Sequence, residues 1–401
     1  MNTSRTSAPR ASSKSRTMTR FQGVAKTAAI IATSFLLWSC ASGPGPVYVP
    51  SGPPPVATAP RPGDDGTLPP SITQAKSRWV PVRWSELPGF DDDKLFEAWN
   101  AWLKSCERPG ATFAPLCAEV RRLSIASPED QRAWMTSRLQ PYRVESLSGP
   151  VAGQLTSYYE PLLKASRQQG PGFDVPLYRT PAGLGSRKPW YSRQEIDTLP
   201  EARAALRGRE IAWLADPVDA MSLHIQGSGR IAVSEPDGSQ RVVRVAFAGT
   251  NDQPFRSPTQ WLTERGVRIG APWTESTKAW AAQNPQNVQT MLWSNPRYVF
   301  FREEPLSELD AAFGPRGAQG VALTPGRSIA VDPGSIPYGT PVWLASRGAV
   351  VNLQKLVFAQ DTGSAIVGAV RADYFAGTGF EAGEFASRMN QPLQLWVLWP
   401  R

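Results

Sequence analysis

Short apolar runs separated by glycine and proline fill the chain after Gly149 and restrict the folds that it can form. The clearest runs cover residues 242–247, 298–301, 328–331, 341–344 and 393–399. Their lengths and their content of β-branched and aromatic residues favour strands over helices. The 33 glycines and 39 prolines of the chain supply the turn residues. Regular short strands with such turns are typical of barrels and sandwiches, and they do not favour a doubly wound sheet.

Helices are expected mainly before Gly149. One apolar helix face is formed by Leu95, Trp99, Trp102 and Leu103, which follow three aspartates. Ser127 and Pro128, followed by two acidic residues, predict a second helix that ends near Leu139. Residues 275–284 and 382–389 predict two further short helices. The sequence therefore predicts a mostly β fold with a few N-terminal helices.

The first 39 residues have the pattern of a signal peptide. They carry six basic and no acidic side chains, and the apolar stretch 27–38 is too short to cross a bilayer comfortably. A Leu-Trp-Ser-Cys sequence ending at Cys40 resembles the bacterial lipobox, in which the cysteine is acylated and becomes the first mature residue. Met18 is an alternative start, and a plain secretory signal with an incidental cysteine is the alternative interpretation. Both interpretations predict an extracytoplasmic protein, and Ala41 favours the outer membrane.

Residues 40–77 are rich in proline, glycine and serine, and they predict a disordered tether to the folded body. Six of the nine net positive charges belong to the first 39 residues. Only three remain on the mature chain, so the basic composition does not indicate a nucleic-acid partner.

Two cysteines remain if Cys40 carries lipid. Cys106 and Cys117 have ten residues between them. In an oxidising compartment we expect them to form a disulfide that contributes about 2–3 kcal/mol. A zinc site is not expected, because His224 is the single histidine and no further cysteine is present. The same shortage argues against thiol catalysis.

Three aspartates lie at the ends of strand-like runs near the C-terminus. Asp361 precedes a Thr-Gly turn, Asp373 opens an Asp-Tyr-Phe run, and Asp332 follows the run 328–331. Strand ends allow such side chains to point into one cleft. Paired carboxylates are the usual groups for cleaving glycosidic bonds.

Two further segments have the residue types of a saccharide site. In the Tyr-Tyr-Glu-Pro segment, Tyr158 and Tyr159 face opposite sides of a strand, so one of them can line a cleft. In the Gln-Gly-Ser-Gly segment, Gln226 and Ser228 can reach the hydroxyl or acetamido groups of a ligand. The alternatives are two half-buried strand tyrosines and a β-turn capped by serine. The single histidine, two residues before Gln226, is expected to be an ordinary strand residue.

In their order along the chain these segments resemble the membrane-bound lytic murein transglycosylase A family of Gram-negative bacteria. The resemblance extends from about Trp79 to the C-terminus. It rests on the two segments above, an Asn-x-x-Tyr-Val-Phe-Phe-Arg segment at 295–302, and three-aspartate domain segments at 317–341 and 360–373. Ser157 and Phe247 depart from the family pattern, which usually has glycine and tyrosine at these positions.

The resemblance implies a double-psi β-barrel domain, built from residues 78–152 and 305–401. A second β-barrel domain is inserted at residues 153–304, and the glycan lies in the groove between the two. The resemblance also implies Asp373 as the catalytic acid and Asp361 as its companion carboxylate. The expected substrate-binding residues are Tyr159, Gln226, Ser228, Thr156 and Asp332, of which the last shapes the site.

The implied activity is that of a peptidoglycan lyase. One carboxyl group cleaves the β-1,4 bond between N-acetylmuramic acid and N-acetylglucosamine, acting first as acid and then as base, and leaves a 1,6-anhydro end. Burial and the charge of Asp361 would raise the pKa of Asp373 for this role. No metal or cofactor is expected.

The expected partners are peptidoglycan glycan strands, the outer membrane through a lipid anchor, and proteins of cell-wall synthesis. The expected location is the periplasmic face of the outer membrane. Two alternatives remain for the function. One is an inverting hydrolase in which Asp361 activates water, and the other is a non-catalytic lipoprotein that anchors to murein.

Overall fold

Two β-sheets organise the part of the chain that the structure, a computed structural model, describes: residue 64 and residues 66–401. The expected signal peptide at 1–39, the lipid attachment at Cys40 and most of the expected tether lie outside these residues.

The strands and helices follow in chain order. The strands are β1 (Ile72–Thr73), β2 (Arg78–Pro81), β3 (Leu139–Glu145), β4 (Gly153–Glu160), β5 (Leu162–Ser166), β6 (Val175–Tyr178), β7 (Glu210–Leu214), β8 (Gly229–Ser234), β9 (Gln240–Thr250), β10 (Val299–Glu304), β11 (Ser328–Val331), β12 (Pro341–Arg347), β13 (Asn352–Asp361), β14 (Arg371–Thr378) and β15 (Asn390–Pro400). The helices are α1 (Phe96–Ser105), α2 (Cys117–Arg122), α3 (Pro128–Arg138), α4 (Arg193–Thr198), α5 (Pro200–Leu206), α6 (Pro217–Gln226), α7 (Pro258–Thr263), α8 (Trp273–Gln283), α9 (Pro285–Trp293), α10 (Glu308–Ala311) and α11 (Phe380–Arg388). The five predicted strands and four predicted helices are all present, β11 with the predicted ends and most of the others with shifted ends.

The larger sheet closes into a ring of six strands. Its order is β1-β2-β3-β15-β12-β13-β11-β14-β4, and β4 also pairs with β15. Residues 390–393 of β15 pair with β4, whereas residues 396–400 pair with β3. Closure pairs the backbone groups that the edge strands would otherwise expose. This ring confirms the mostly β fold and the barrel expected from the sequence.

Alternation along the strands separates the inside of the ring from its outside. On β13, Val357 and Ala359 join the apolar interior, whereas Phe358 points outward and packs on Trp102 of α1, with ring centroids 5.4 Å apart. The predicted apolar face of α1 is therefore buried against the barrel wall. Cys106 and Cys117 form the expected disulfide, with Cα atoms 5.6 Å apart, and join the end of α1 to the start of α2.

The second sheet has the order β10-β9-β8-β5-β7-β6. Its edge strands curl toward each other, because Tyr178 of β6 packs on Tyr298 just before β10, with ring centroids 6.4 Å apart. Strand β4, at the start of the expected inserted domain, pairs in parallel with β14 from Gln154 onward and belongs to the larger sheet. The second sheet begins with β5, directly after Pro161.

Two local expectations were wrong. The expected tether extends too far, because β1 pairs with β2 and Lys76 binds Asp332 before residue 77 is reached. His224 lies on helix α6 and not on a strand. Asp216 caps this helix, Pro217 is its first residue, and Gly227 ends it with φ +80°. These start and stop signals decide the local structure more strongly than the alternation that suggested a strand.

Within residue 64 and residues 66–401, no helix has both the length and the hydropathy needed to cross a membrane.

Candidate active site

A β-bulge brings Asp361 to the same face of the barrel wall as Asp373. Strand β11 lies between β13 and β14, and Ala330 on β11 is in register with both aspartates. The register with β13 shifts by one residue just before this point, because Ile329 pairs with Ala359 and Ala330 pairs with Asp361. Without the shift, Asp361 would face the apolar interior. Bulges commonly redirect side chains in this way next to active sites.

The extra residue of the bulge is Gln360, which is fully buried. Its amide nitrogen donates to the carbonyl oxygen of Ala101 and to the hydroxyl of Ser105, both at 2.8 Å. Helix α1 therefore holds the bulge in place. Since Asp361 and Asp373 flank one intervening strand, their Cα atoms are about 10 Å apart.

The carboxylate of Asp373 is half-buried and makes one short hydrogen bond. The hydroxyl of Thr156, its register partner on β4, donates to Oδ1. Burial raises the pKa of Asp373 from 3.8 to about 6, and the negative charge of Asp361 adds to this increase. The Thr156 hydroxyl and the Arg371 guanidinium lower this pKa and offset part of the increase. A large fraction of the carboxyl group is therefore protonated in mildly acidic solution.

The carboxylate of Asp361 has donors on both oxygens. The Tyr158 hydroxyl donates to Oδ2 at 2.8 Å, and the Ala318 N–H donates to Oδ1 at 3.0 Å. Burial raises the pKa of Asp361 above its ordinary value, and the Thr362 N–H, the Tyr158 hydroxyl and the Ala318 N–H offset only part of this increase. Asp361 is thus a fixed acceptor whose orientation is set by its neighbours.

Tyr158 and Arg371 are site residues that were not predicted from the sequence. The ligand role was predicted for Tyr159, yet Tyr158 is the tyrosine on the same face as Thr156 and the aspartates. The alternation of β4 contains the missing signal, since residues 156 and 158 share a face. Arg371 could have been found in the same way, because it lies two residues before Asp373 on β14.

Tyr159 lies on the other face of β4. Its ring packs on Gly383 of α11, where a Cβ atom would approach the ring to 2.8 Å. It lines a cavity of about 340 Å³ between α11 and the inserted domain, together with Asp219 and Lys278, which form an ion pair at 2.6 Å. Phe380 stands at this cavity with 70% of its surface exposed. An exposed aromatic ring with charged groups beside it is suited to a polar, partly apolar ligand.

Gln226 is the last residue of α6, and Ser228 follows two residues later. The side-chain oxygen of Gln226 accepts the backbone N–H of Tyr159 at 3.1 Å. Ser228 is 7% exposed, just before β8. The structure brings Gln226 to Tyr159, and it gives neither Gln226 nor Ser228 a hydrogen bond to Asp361 or Asp373.

Asp332, expected among the substrate-binding residues as one that shapes the site, is held by three contacts within the protein. One carboxylate oxygen binds Lys76 and the Gly368 N–H, at 2.8 and 2.9 Å, and the other accepts the Gly334 N–H at 3.0 Å. Lys76 and these N–H groups hold the pKa of Asp332 below its ordinary value, although burial opposes them. The Thr156 hydroxyl donates to Asp373, and its expected contact with the substrate stays a prediction.

A buried ionic cluster fixes the inserted sheet to the barrel. Glu160, at the end of β4, is fully buried. Its carboxylate accepts Nε of Arg230 at 2.8 Å and Nε of Arg244 at 2.6 Å. The Thr378 hydroxyl donates to it at 3.0 Å. The Tyr-Tyr-Glu-Pro segment therefore contributes both to the catalytic face and to the domain junction.

No group of three or more His, Cys, Asp or Glu side chains that could hold a metal ion lies among residue 64 and residues 66–401.

Two family models match the chain. The MltA specific insert domain matches residues 154–302, and the 3D domain matches residues 327–399. The first spans β4 and the second sheet, and the second contains all three aspartates.

Solved structures of lytic transglycosylases have folds similar to that of this chain. The chain is 42% identical to the lytic transglycosylase LtgG of Burkholderia pseudomallei, over 84% of this chain and 98% of that chain, with a TM-score of 0.56. It is 26% identical to MltA from Neisseria gonorrhoeae, over 85% of this chain and 98% of that chain, with a TM-score of 0.68.

A curated protein, the membrane-bound lytic murein transglycosylase A homolog of Buchnera aphidicola subsp. Schizaphis graminum, is 28% identical over 255 residues. The match covers 61% of this chain and 66% of that protein, so the chain spans just under two thirds of its length.

Proposed function

Because this chain belongs to the membrane-bound lytic murein transglycosylase A family, we propose that it is a lytic transglycosylase that acts on peptidoglycan. The bond cleaved is the β-1,4 bond between N-acetylmuramic acid and N-acetylglucosamine, and the product carries a 1,6-anhydromuramoyl end. The observation that carries the proposal is the state of Asp373. Its pKa is raised to about 6, it lies near a second carboxylate, and its Oδ2 has no hydrogen-bond partner among the described residues.

In the first step Asp373 acts as a general acid. Its carboxyl proton passes to the glycosidic oxygen while the bond between that oxygen and C1 of the muramoyl residue breaks. The N-acetylglucosamine product leaves with this proton on its 4-hydroxyl group. Positive charge develops at C1, and the negative charge of Asp361 on the same face stabilises it.

In the second step the same carboxylate acts as a general base. The 6-hydroxyl oxygen of the muramoyl residue bonds to C1, and its proton returns to Asp373. The enzyme ends in its starting protonation state, and no water is consumed. A carboxyl group with a pKa near 6 suits both transfers, because neither form is strongly favoured near that pH.

The contacts of Asp361 favour this single-residue mechanism over an inverting hydrolase. In Asp361 each oxygen already accepts one hydrogen bond, from the Tyr158 hydroxyl or from the Ala318 N–H. A water to be activated would have to bind as a second donor to one of these oxygens, whereas Oδ2 of Asp373 has no donor among the described residues. The raised pKa of both aspartates also argues against a protein that only anchors to murein, since perturbed carboxyl groups cluster at catalytic sites.

The groove along α11 is proposed to hold part of the glycan. Tyr159 and Phe380 offer aromatic faces to sugar rings, and Gln226 accepts the backbone N–H of Tyr159. Lipid on Cys40 would hold the enzyme at the periplasmic face of the outer membrane, within reach of the murein and of cell-wall synthesis proteins.

Purified sacculi provide the test. The wild-type protein should clear them and release anhydro-muropeptides, identified by mass spectrometry as one water lighter than hydrolysed products. Asp373→Asn should bind sacculi in a pelleting assay and release nothing. Release of hydrolysed ends by the wild type would support the inverting alternative, and clearing by Asp373→Asn would remove Asp373 from the chemistry. Binding without any release by the wild type would support the anchoring alternative.

A further inference from the structure

Arg371 makes a set of contacts that none of the catalytic steps above uses. It lies two residues before Asp373 on β14, so both side chains are on the outer face of the barrel wall. Its Nη2 donates to the Thr156 hydroxyl oxygen at 2.8 Å. Its Nη1 donates to the carbonyl oxygens of Ala372 and Gln154. Three acceptors therefore hold the guanidinium in one orientation.

The direction of these hydrogen bonds determines where the Thr156 proton goes. A guanidinium can only donate, so the Thr156 oxygen must accept from Arg371. A hydroxyl has one proton, and in this site the remaining acceptor within reach is Oδ1 of Asp373. The chain of donors thus runs from Arg371 through Thr156 to Oδ1. When Asp373 is protonated, Oδ1 continues to accept, and the acid proton resides on Oδ2.

We propose, on the basis of the function proposed above, that Arg371 is a positioning residue: acting through Thr156, it reserves Oδ1 of Asp373 as an acceptor and leaves Oδ2 to carry the catalytic proton. Oδ2 has no hydrogen-bond partner among the described residues, and it is therefore the oxygen available to a glycosidic oxygen. Without the donor chain, the proton could occupy either oxygen, and only one of these forms is productive.

The charged groups around Asp373 determine how its titration should respond. Asp361 on β13 raises the pKa of Asp373, and Arg371 on β14 lowers it. The negative charges of Asp361 and Asp373 in turn help to raise the pKa of Tyr158 on β4. The Thr156 hydroxyl also lowers the pKa, because it stabilises the charged form. Loss of either Arg371 or the Thr156 hydroxyl should therefore raise the pKa of Asp373.

The test compares substitutions that keep or remove the donor chain. Thr156→Ser keeps the hydroxyl and should retain turnover of a soluble murein oligosaccharide within about twofold. Thr156→Val and Arg371→Met should lower kcat about tenfold or more at little cost in KM, because general acid catalysis depends on the placement of the proton. In both, the alkaline limb of the pH profile should move upward by about one pH unit. Arg347→Met, at the exposed end of β12, is the matched control for loss of one positive charge.

A second measurement does not depend on activity. The carboxyl carbon of Asp373, assigned by its absence in Asp373→Asn, can be titrated by 13C NMR in the free protein. The midpoint should rise in Thr156→Val and Arg371→Met and stay near the wild-type value in Thr156→Ser and Arg347→Met. An unchanged midpoint in folded Thr156→Val, together with unchanged kcat, would overturn the positioning role. If the midpoint rises in Thr156→Val and Arg371→Met but the wild type releases no anhydro product, the donor chain is supported and the proposed function is refuted.

Discussion

Replacing the proposed acid should stabilise the folded protein, and the gain should depend on pH. Asparagine resembles the protonated form of Asp373: its oxygen can still accept the Thr156 hydroxyl, and its amide takes the place of the protonated Oδ2. Asp373→Asn therefore removes the cost of ionising a half-buried carboxyl group. We expect the variant to be more stable than the wild type wherever the wild-type group would be charged.

The magnitude follows from the pKa of Asp373, which is raised from 3.8 to about 6 in the folded state. A difference of about two units corresponds to about 3 kcal/mol between the protonation states. Because the folded-state pKa is the higher one, the stabilising contribution is fully present below pH 3.8 and is lost as the pH rises through about 6. The wild type should therefore be less stable than Asp373→Asn at pH 8 by up to about 3 kcal/mol, and nearly equal to it at pH 3.5.

Urea unfolding followed by tryptophan fluorescence at several pH values measures this difference directly. Asp174→Asn, at an exposed position before β6, is the matched control and should change the free energy of unfolding little at any pH. The reasoning is refuted if Asp373→Asn is no more stable than the wild type at pH 8. It is also refuted if the gain is the same at pH 3.5 and pH 8.

Three further substitutions separate catalysis from structural support. Tyr158→Phe removes a hydrogen-bond donor from Asp361 and should raise the pKa of Asp361, so the acidic limb of the kcat/KM profile should move to higher pH. An acidic limb that does not move would exclude an ionised Asp361 from the mechanism. Glu160→Gln leaves two buried arginines without their counter-charge and should lower the free energy of unfolding by about 3–5 kcal/mol in thermal or urea melts. A loss below about 1 kcal/mol would contradict the role of this ionic cluster in joining the inserted sheet to the barrel. Asp332→Asn should lower stability while kcat per folded molecule stays near wild type, and a selective loss of kcat would indicate a direct role at the substrate.

Much of the secondary structure follows from local patterns in the sequence. Helix α3 begins where Ser127 and Pro128 predict it, and the Ser127 side chain accepts the Asp130 N–H at N3. Strand β11 has the predicted ends, and the apolar face of α1 is buried as its spacing indicates. In each case one local signal, a cap or a periodicity, agrees with the tertiary environment.

The geometry of the site depends on features that local patterns do not reveal. The bulge at Gln360 is stabilised by Ala101 and Ser105, which are distant in sequence, and no residue type at this position announces it. The choice between Tyr158 and Tyr159 required knowing which face of β4 meets the aspartates. That face is fixed by parallel pairing with β14, more than two hundred residues later in the chain.

The central claim is that the reaction uses the muramoyl 6-hydroxyl and not water. Digestion of purified sacculi in H2 18O tests it directly, because a hydrolysed end takes its new oxygen from solvent whereas an anhydro end does not. The account predicts released fragments with no 18O at the cleaved muramoyl end, and no release by Asp373→Asn. Incorporation of one 18O atom at each new muramoyl end would contradict it.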